Sequence, residues 1–302
     1  MEELHLYKHS RYIDILSDFG FKYVFGSEPN KDLLIHFLNE IFKGEKCIDD
    51  IHYSKSEIYG ESGHEGVVIF DLLCTGSNGE MFIIEVQRAR QDFFIQRSVS
   101  YVSRLISEQI PKGGRSEWRY DINDVYFIAI LETFPIDPDD DFYMRTANIR
   151  CCETNKVLYN GLKFFFVELC KFAKDVDELN SDLDNWLYVL KNMSCWDMIP
   201  LYTKKPVFQK LFQISEYSNL PKEEKDMYDL SIKRKWDYQN TIDYAKKEGL
   251  EKGRQEGRQE GIEEKTMEFI SNLIRKSQMT DIEIAEIAGT EIELVKNIRE
   301  EL

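Results

Sequence analysis

The chain of 302 residues is 42% hydrophobic and 13% aromatic, enough apolar material for one large domain with an appendage or for two domains. Its net charge of −16 excludes nucleic-acid binding through the overall electrostatic field, so any such contact must use a local basic patch, a metal-neutralised acidic pocket or a partner. No apolar run approaches the roughly 18 residues of a membrane span, the start MEELHLYKHSRYIDIL lacks the pattern of a signal peptide, and six cysteines without a CxxC pair give no zinc spacing with five scattered histidines.

In chain order, residues 11–48 carry helical spacing. DFGFKYVFG (18–26) is a compact aromatic segment, and DLLIHFLNEIF (32–42) sets Leu34, Phe37, Leu38 and Ile41 on one face. Strand signals follow: IDDIHYSKSEIYG (48–60) is a candidate first strand, and VVIFDLLC (67–74) and MFIIEVQ (81–87) flank the turn TGSNGE. Residues 92–109 return to helical spacing, with Ile95, Val99, Val102 and Ile106 as the apolar stripe and Arg97, Tyr101 and Arg104 opposite it. VYFIAILETF (125–134) and LKFFFVEL (162–169) read as buried strands, with the acidic loop IDPDDDF between them. This order predicts an α/β domain with a mixed sheet over about residues 10–175.

Beyond residue 175 the strand signals stop. DELNSDLDNWLYVLKNM and PVFQKLFQISEY read as helices, followed by a charged segment, 221–266. Within it, Gly249, Gly253, Gly257 and Gly261 recur every four residues. On a helix each glycine costs about 1 kcal/mol against alanine, so two readings stand: a stripe for close helix–helix approach and oligomerisation, or a flexible charged linker. The end, TDIEIAEIAGTEIELVKNIREEL, predicts two capped helices, with capping boxes at Thr280/Glu283 and Thr290/Glu293 and a stop at Gly289. With 15 acids against 10 bases over residues 241–302, this end reads as a protein-contact module rather than a DNA reader.

The hairpin carries the chemistry. Asp71 and Glu85 each sit in an apolar run, where an ionised acid is costly unless paired or metal-bound. They face each other if paired residue numbers sum to 156, which needs an odd loop such as Ser77-Asn78-Gly79 with Gly79 left-handed; a two-residue Asn78-Gly79 loop puts them on opposite faces. In the first register Asp71, Glu85 and the Val86 carbonyl form an all-oxygen cluster suited to Mg²⁺ or Mn²⁺, and Gln87 points at the same site. The alternative is two acids at the solvated rim of a sheet.

The order Asp71…Glu85-Val86-Gln87 across a hairpin, followed by a helix, resembles the PD-(D/E)XK nucleases. LSDFGFKYVFG (16–26), VIFDLLCTGSNGEMFIIEVQ (68–87), QRSVSYVSRLISEQIPKG (96–113) and VYFIAILETF (125–134) resemble more narrowly the Rpn recombination-promoting nucleases, also called PD-(D/E)XK family transposases, as does the glycine-every-fourth tail. In that family glutamine at the place of Gln87 is the expected form. The resemblance implies a restriction-endonuclease-like core with a mixed sheet flanked by helices, followed by an all-helical C-terminal region. It implies a Mg²⁺-dependent DNA endonuclease tied to recombination, mobile elements or defence, with Asp71, Glu85 and Gln87 catalytic. Asp18 matches a recurring acid that completes the metal set; its other reading is a helix N-cap.

Substrate contacts are expected from Lys22, Gln96, Arg97, Tyr101 and Arg104, the other reading being solvated helix faces, with a weaker signal at Lys112 and Arg115. The stretch GHEG before the motif offers no basic partner for phosphate. We therefore expect a nuclease-like domain (1–175), a helical region (176–240) and a glycine-repeat segment with a helical pair (241–302). DNA is the expected partner, together with homo-oligomerisation through the tail; the protein is expected to be cytoplasmic, without membrane association or organic cofactor. The rival is a nuclease-fold protein, weak or inactive, acting through its tail.

Overall fold

The structure, a computed structural model, describes residues 10–58, 68–111, 121–198 and 205–302. Two of its helices come first: α1 (Asp18–Phe25) and α2 (Lys31–Phe42), the latter burying Leu34, Phe37, Leu38 and Ile41 as the spacing requires. Five strands follow, β1 (Ile51–Tyr53), β2 (Glu57–Ile58), β3 (Val68–Ile69), β4 (Leu72–Gly76) and β5 (Met81–Gln87). Then come α3 (Phe94–Glu108), β6 (Val125–Leu131), β7 (Met144–Arg150) and β8 (Val157–Glu168). The main sheet has the order β1-β4-β5-β6-β8-β7, and β2 and β3 form a separate pair. β5, β6 and β8 run parallel to their neighbours in the sheet centre, and the flanking pairings are antiparallel. This is the mixed sheet flanked by helices that the sequence predicts.

Alternation along the central strands feeds two cores. Phe82, Ile84, Tyr126, Ile128, Ile130 and Phe165 turn to one face, against α1 and α2. Ile83, Phe127, Ala129, Leu131 and Phe166 turn to the other, against α3. Two later helices, α4 (Asp182–Asn192) and α5 (Pro206–Ser215), enter the first core. There Trp186 is fully buried, its ring 5.7 Å from that of Phe25 and 5.0 Å from that of Phe208.

One expectation about this unit needs correction. The buried face of α3 is Phe94, Ser98, Val102 and Leu105, while Ile95 and Val99 are exposed. Both sets follow helical spacing. The helix settles on the first because the larger Phe94 packs on Phe134 and Phe166, and Ser98 satisfies its hydroxyl by donating to the Phe94 carbonyl at 3.0 Å. Arg97 and Tyr101 consequently flank the packed face. β7 carries no strand signal, since its sequence MRTANIR has no apolar alternation. As the sheet's outer strand it is mostly exposed or half-buried, with register shifts around Ile149.

The chain divides into two compact units, one ending at Ile232 and one from Lys233 to Leu302. The helix α6 (Lys222–Lys276) contributes to both, then α7 (Asp281–Ala288) and α8 (Ile292–Glu301) follow. In the second unit Ile270, Ile284, Ala285, Val295 and Ile298 form a small core. Thr280 and Glu283 make the expected capping box, and Gly289 ends α7 at φ +64°. The box at Thr290 does not form: α8 starts one residue later, with Glu291 as a cap that makes no side-chain hydrogen bond. The glycine repeat is helix, not linker, and a Cβ added at any of its four glycines would meet nothing within 4 Å. Close helix approach within the chain therefore does not account for it. No helix among the described residues is long and apolar enough to cross a membrane.

Candidate active site

The hairpin adopts the odd loop. Leu72 pairs with Ile84 and Thr75 with Met81, so paired numbers sum to 156 and Asp71 stands level with Glu85. Gly76 accepts the Gly79 N–H at 3.0 Å and donates to Glu80 at 2.8 Å, closing the loop over Ser77-Asn78-Gly79. Gly79 takes φ +86°, a conformation that favours glycine.

The strand carrying Asp71 is split. β3 ends at Ile69 and pairs with β2; β4 begins at Leu72 and pairs with β5. Between them Phe70 donates its N–H to Ser56 at 2.8 Å and buries its ring against Tyr101, 5.2 Å between centres. Phe70 would oppose Val86 in a continuous ladder, so the split leaves main-chain donors to be satisfied. The acids do this: Asp71 Oδ2 accepts from Val86 N–H at 2.8 Å, and Glu85 Oε1 accepts from Asp71 N–H at 3.1 Å. Each carboxylate keeps one oxygen, Asp71 Oδ1 and Glu85 Oε2, with no hydrogen bond among the described residues. On the β6 side Glu85 stands level with Ala129.

Burial governs the electrostatics. Glu85 is 7% exposed, and burial together with the Asp71 charge pushes its carboxyl up to about 8. Asp71 is also raised by burial, against the Val86 N–H and the Lys22 charge, which pull it down. Two acids held this way are an unfavourable pair that a shared cation would relieve. Their oxygens, with the Val86 carbonyl, are a donor set of the type that fits Mg²⁺ or Mn²⁺.

Gln87 is buried, its Nε2 donating to the Ala89 carbonyl at 3.1 Å and its Oε1 accepting from Arg97. Arg97 lies with its guanidinium 5.8 Å from the Tyr101 ring centre. Tyr101 is itself raised by burial and by the Glu85 charge. The structure thus brings Asp71, Glu85, Gln87, Arg97 and Tyr101 together. Gln96 is exposed beside Phe93, Phe134 and Pro135, and Arg104 is 3.4 Å from Glu108.

Asp18 is not the N-cap of α1; Ser17 is, accepting from Gly20 N–H at 3.0 Å. The Asp18 side chain is exposed and pairs with Lys22 at 2.8 Å. Its charge reaches Asp71 and raises it, yet the carboxylates of Asp18, Asp71 and Glu85 do not gather within 4.8 Å of one another. Lys112, Arg115 and the GHEG stretch lie outside the described residues.

Arg88 was not singled out by the sequence. It donates to the Leu16 carbonyl at 2.9 Å, holding the turn before α1 against the end of β5. Its signal was adjacency: a basic residue directly after the motif.

A second cluster, His36, Glu40 and Asp182, brings three potential ligand groups within 4.8 Å. Here Trp186 Nε1–H donates to His36 Nδ1 at 2.9 Å. The proton of neutral His36 then sits on Nε2, facing Asp182 at 3.7 Å, and that nitrogen offers no lone pair to a metal. Lys205 occupies Asp182 as well.

No curated protein and no solved structure matches the chain. The family model described as PD-(D/E)XK nuclease family transposase matches residues 15–245, a span that takes in the sheet, the split strand and the acid pair, and the chain belongs to that family.

Proposed function

We propose that the protein is a divalent-metal-dependent endonuclease that hydrolyses phosphodiester bonds in DNA, in recombination, mobile-element or defence processes. One observation supports this above the others: Asp71 and Glu85 stand level and cap each other's strand with one oxygen each, while the other oxygen makes no hydrogen bond among the described residues. An acid pair at a solvated rim would be under no such constraint. Asp71, Glu85 and the Val86 carbonyl would hold Mg²⁺ or Mn²⁺. The bound cation supplies a Lewis acid for the phosphodiester and the attacking water.

The chain's own residues then have defined tasks. The two carboxylates would hold the cation and offset its charge. The Phe70–Tyr101 contact packs apolar surface beside the acids. Gln87 is neutral and cannot serve as a general base.

The test is plasmid cleavage in Mg²⁺ and in Mn²⁺ by wild type, Asp71→Asn and Glu85→Gln, variants that keep an oxygen for the backbone donors. Wild-type cleavage with a loss of at least about 100-fold in each variant is expected, the order seen when a transition-state contact is removed. Equal activity in all three would refute the site. No wild-type cleavage in either metal would favour a non-catalytic interaction protein.

A further inference from the structure

The geometry points to Arg97, on α3, as the residue that brings positive charge to the scissile phosphate, with Gln87 as the positioning residue that holds it there. This rests on the endonuclease reading of the same site.

A cleft with two carboxylates and a cation binds a phosphodiester better with a further positive group beside it. Gln87 cannot provide one, and its amide is already engaged. Its oxygen takes an N–H of Arg97 and its nitrogen donates to Ala89 at 3.1 Å. These partners fix which end of the amide is which. The oxygen end is turned to the guanidinium.

Arg97 is held from every side that matters. Nη2 donates to Gln87 and Nη1 to Gln91. The guanidinium carbon is 5.5 Å from the Phe94 ring centre and 5.8 Å from that of Tyr101. Tyr101 meets Phe70, the residue before Asp71. A closed circuit of contacts therefore links Glu85, Gln87, Arg97, Tyr101, Phe70 and Asp71. Two of the five guanidinium N–H groups are used, and among the described residues no carboxylate lies within ion-pair distance of Arg97. The remaining donors form a fork of the kind that grips phosphate oxygens. Its charge acts on both acids, drawing each carboxyl down against burial.

Lys22 is the competing cation. Its ammonium is 2.8 Å from Asp18 and half-exposed, so a partner already matches its charge. A lysine at position 87 would instead repel Arg97; glutamine accepts it. The glutamine in the motif thus marks a site whose positive charge has moved from the strand to the next helix.

The full chain is assayed as wild type, Arg97→Met, Arg97→Lys, Lys22→Met and the double variant Gln87→Lys/Arg97→Met. Three readouts are taken: plasmid cleavage in Mn²⁺, Mn²⁺ affinity by calorimetry, and binding of a short duplex in Ca²⁺. Arg97→Met is expected to lose about 100-fold in cleavage and at least threefold in duplex affinity. It should bind Mn²⁺ as tightly as wild type or more tightly, since a repelling charge is gone. Arg97→Lys and the double variant should each recover at least tenfold over Arg97→Met.

Unchanged duplex affinity in Arg97→Met, or no duplex binding by wild type, overturns the assignment. So does loss of Mn²⁺ binding along with cleavage, which is the mark of a structural role, or a loss found in Lys22→Met and not in Arg97→Met. A wild type that binds duplex through Arg97 without cleaving it refutes the hydrolytic reading and leaves the phosphate contact standing.

Discussion

Arg88 reaches across 72 positions of sequence to donate a hydrogen bond to the Leu16 carbonyl at 2.9 Å. It follows Gln87 directly, so the strand that bears Glu85 also fixes the turn that starts α1. Arg88→Met removes that donor and leaves a half-buried carbonyl without it. A loss of about 1–2 kcal/mol is expected in urea denaturation, with faster hydrogen exchange confined to the amides of Gly20–Val24. Uniform exchange throughout the first unit would show that the bond does not act locally.

Glu85 gives the metal-free protein a pH signature. Its carboxyl rises from the ordinary 4.5 to about 8 on folding, so between those values the folded state binds more protons than the unfolded. Stability must therefore fall as pH rises through that window. Glu85→Gln is expected to remove this fall and to melt above wild type at pH 8, with little difference at pH 4.5. An identical pH slope in the two proteins would contradict the burial argument.

Divalent cation should reverse the same trend. Binding requires Glu85 to lose its proton, so Mg²⁺ or Mn²⁺ affinity is expected to increase with pH up to about 8. Calorimetry in buffers of different ionisation enthalpy should register proton release below pH 8, and none in Glu85→Gln. Proton uptake, or no linked protons, would argue against these carboxylates as ligands.

Gly20 permits the tight turn that leads into α1. A Cβ there would lie 2.1 Å from the Asp14 carbonyl oxygen and 2.8 Å from Ser17 Oγ, the hydroxyl that caps the helix. Gly20→Ala should cost about 1–3 kcal/mol as an overpacked site. A melting temperature equal to wild type would mean that the turn relaxes without loss.

The tail glycines should behave oppositely. At Gly253 and Gly257 an added Cβ meets nothing within 4 Å, so alanine at each should raise helix stability by up to about 1 kcal/mol. Circular dichroism melting and sedimentation together read the result. Higher stability with unchanged mass is expected for a stripe that faces solvent; lower stability with reduced mass would reveal a second copy against it.

Much of this was legible in the sequence because it is local. The apolar face of α2 and the Thr280–Glu283 cap each follow from residues within a few positions of one another, and the turn TGSNGE narrows the hairpin to two registers, between which the pairing of Leu72 with Ile84 decides. What escaped depends on distant partners. β7 shows no alternation because the edge of a sheet imposes little burial on MRTANIR. On α3 two apolar sets compete, and only the sheet beneath decides for Phe94 over Ile95. The tie from Arg88 to Leu16, and the turn of Arg97 toward Gln87 across 10 residues, require the fold itself.

The split strand also constrains how such a protein could evolve. Asp71 and Glu85 replace ladder partners for the Val86 and Asp71 amides, so in a descendant released from selection for chemistry, losing the side-chain oxygen at either position would strand a backbone donor. The pair, as acids or as their amides, would persist as scaffolding long after activity decayed, until the two strand halves re-zipped. The guanidinium beside it, on which no main-chain group depends, would drift first. Among relatives, its presence should separate working enzymes from fossils better than the acids do.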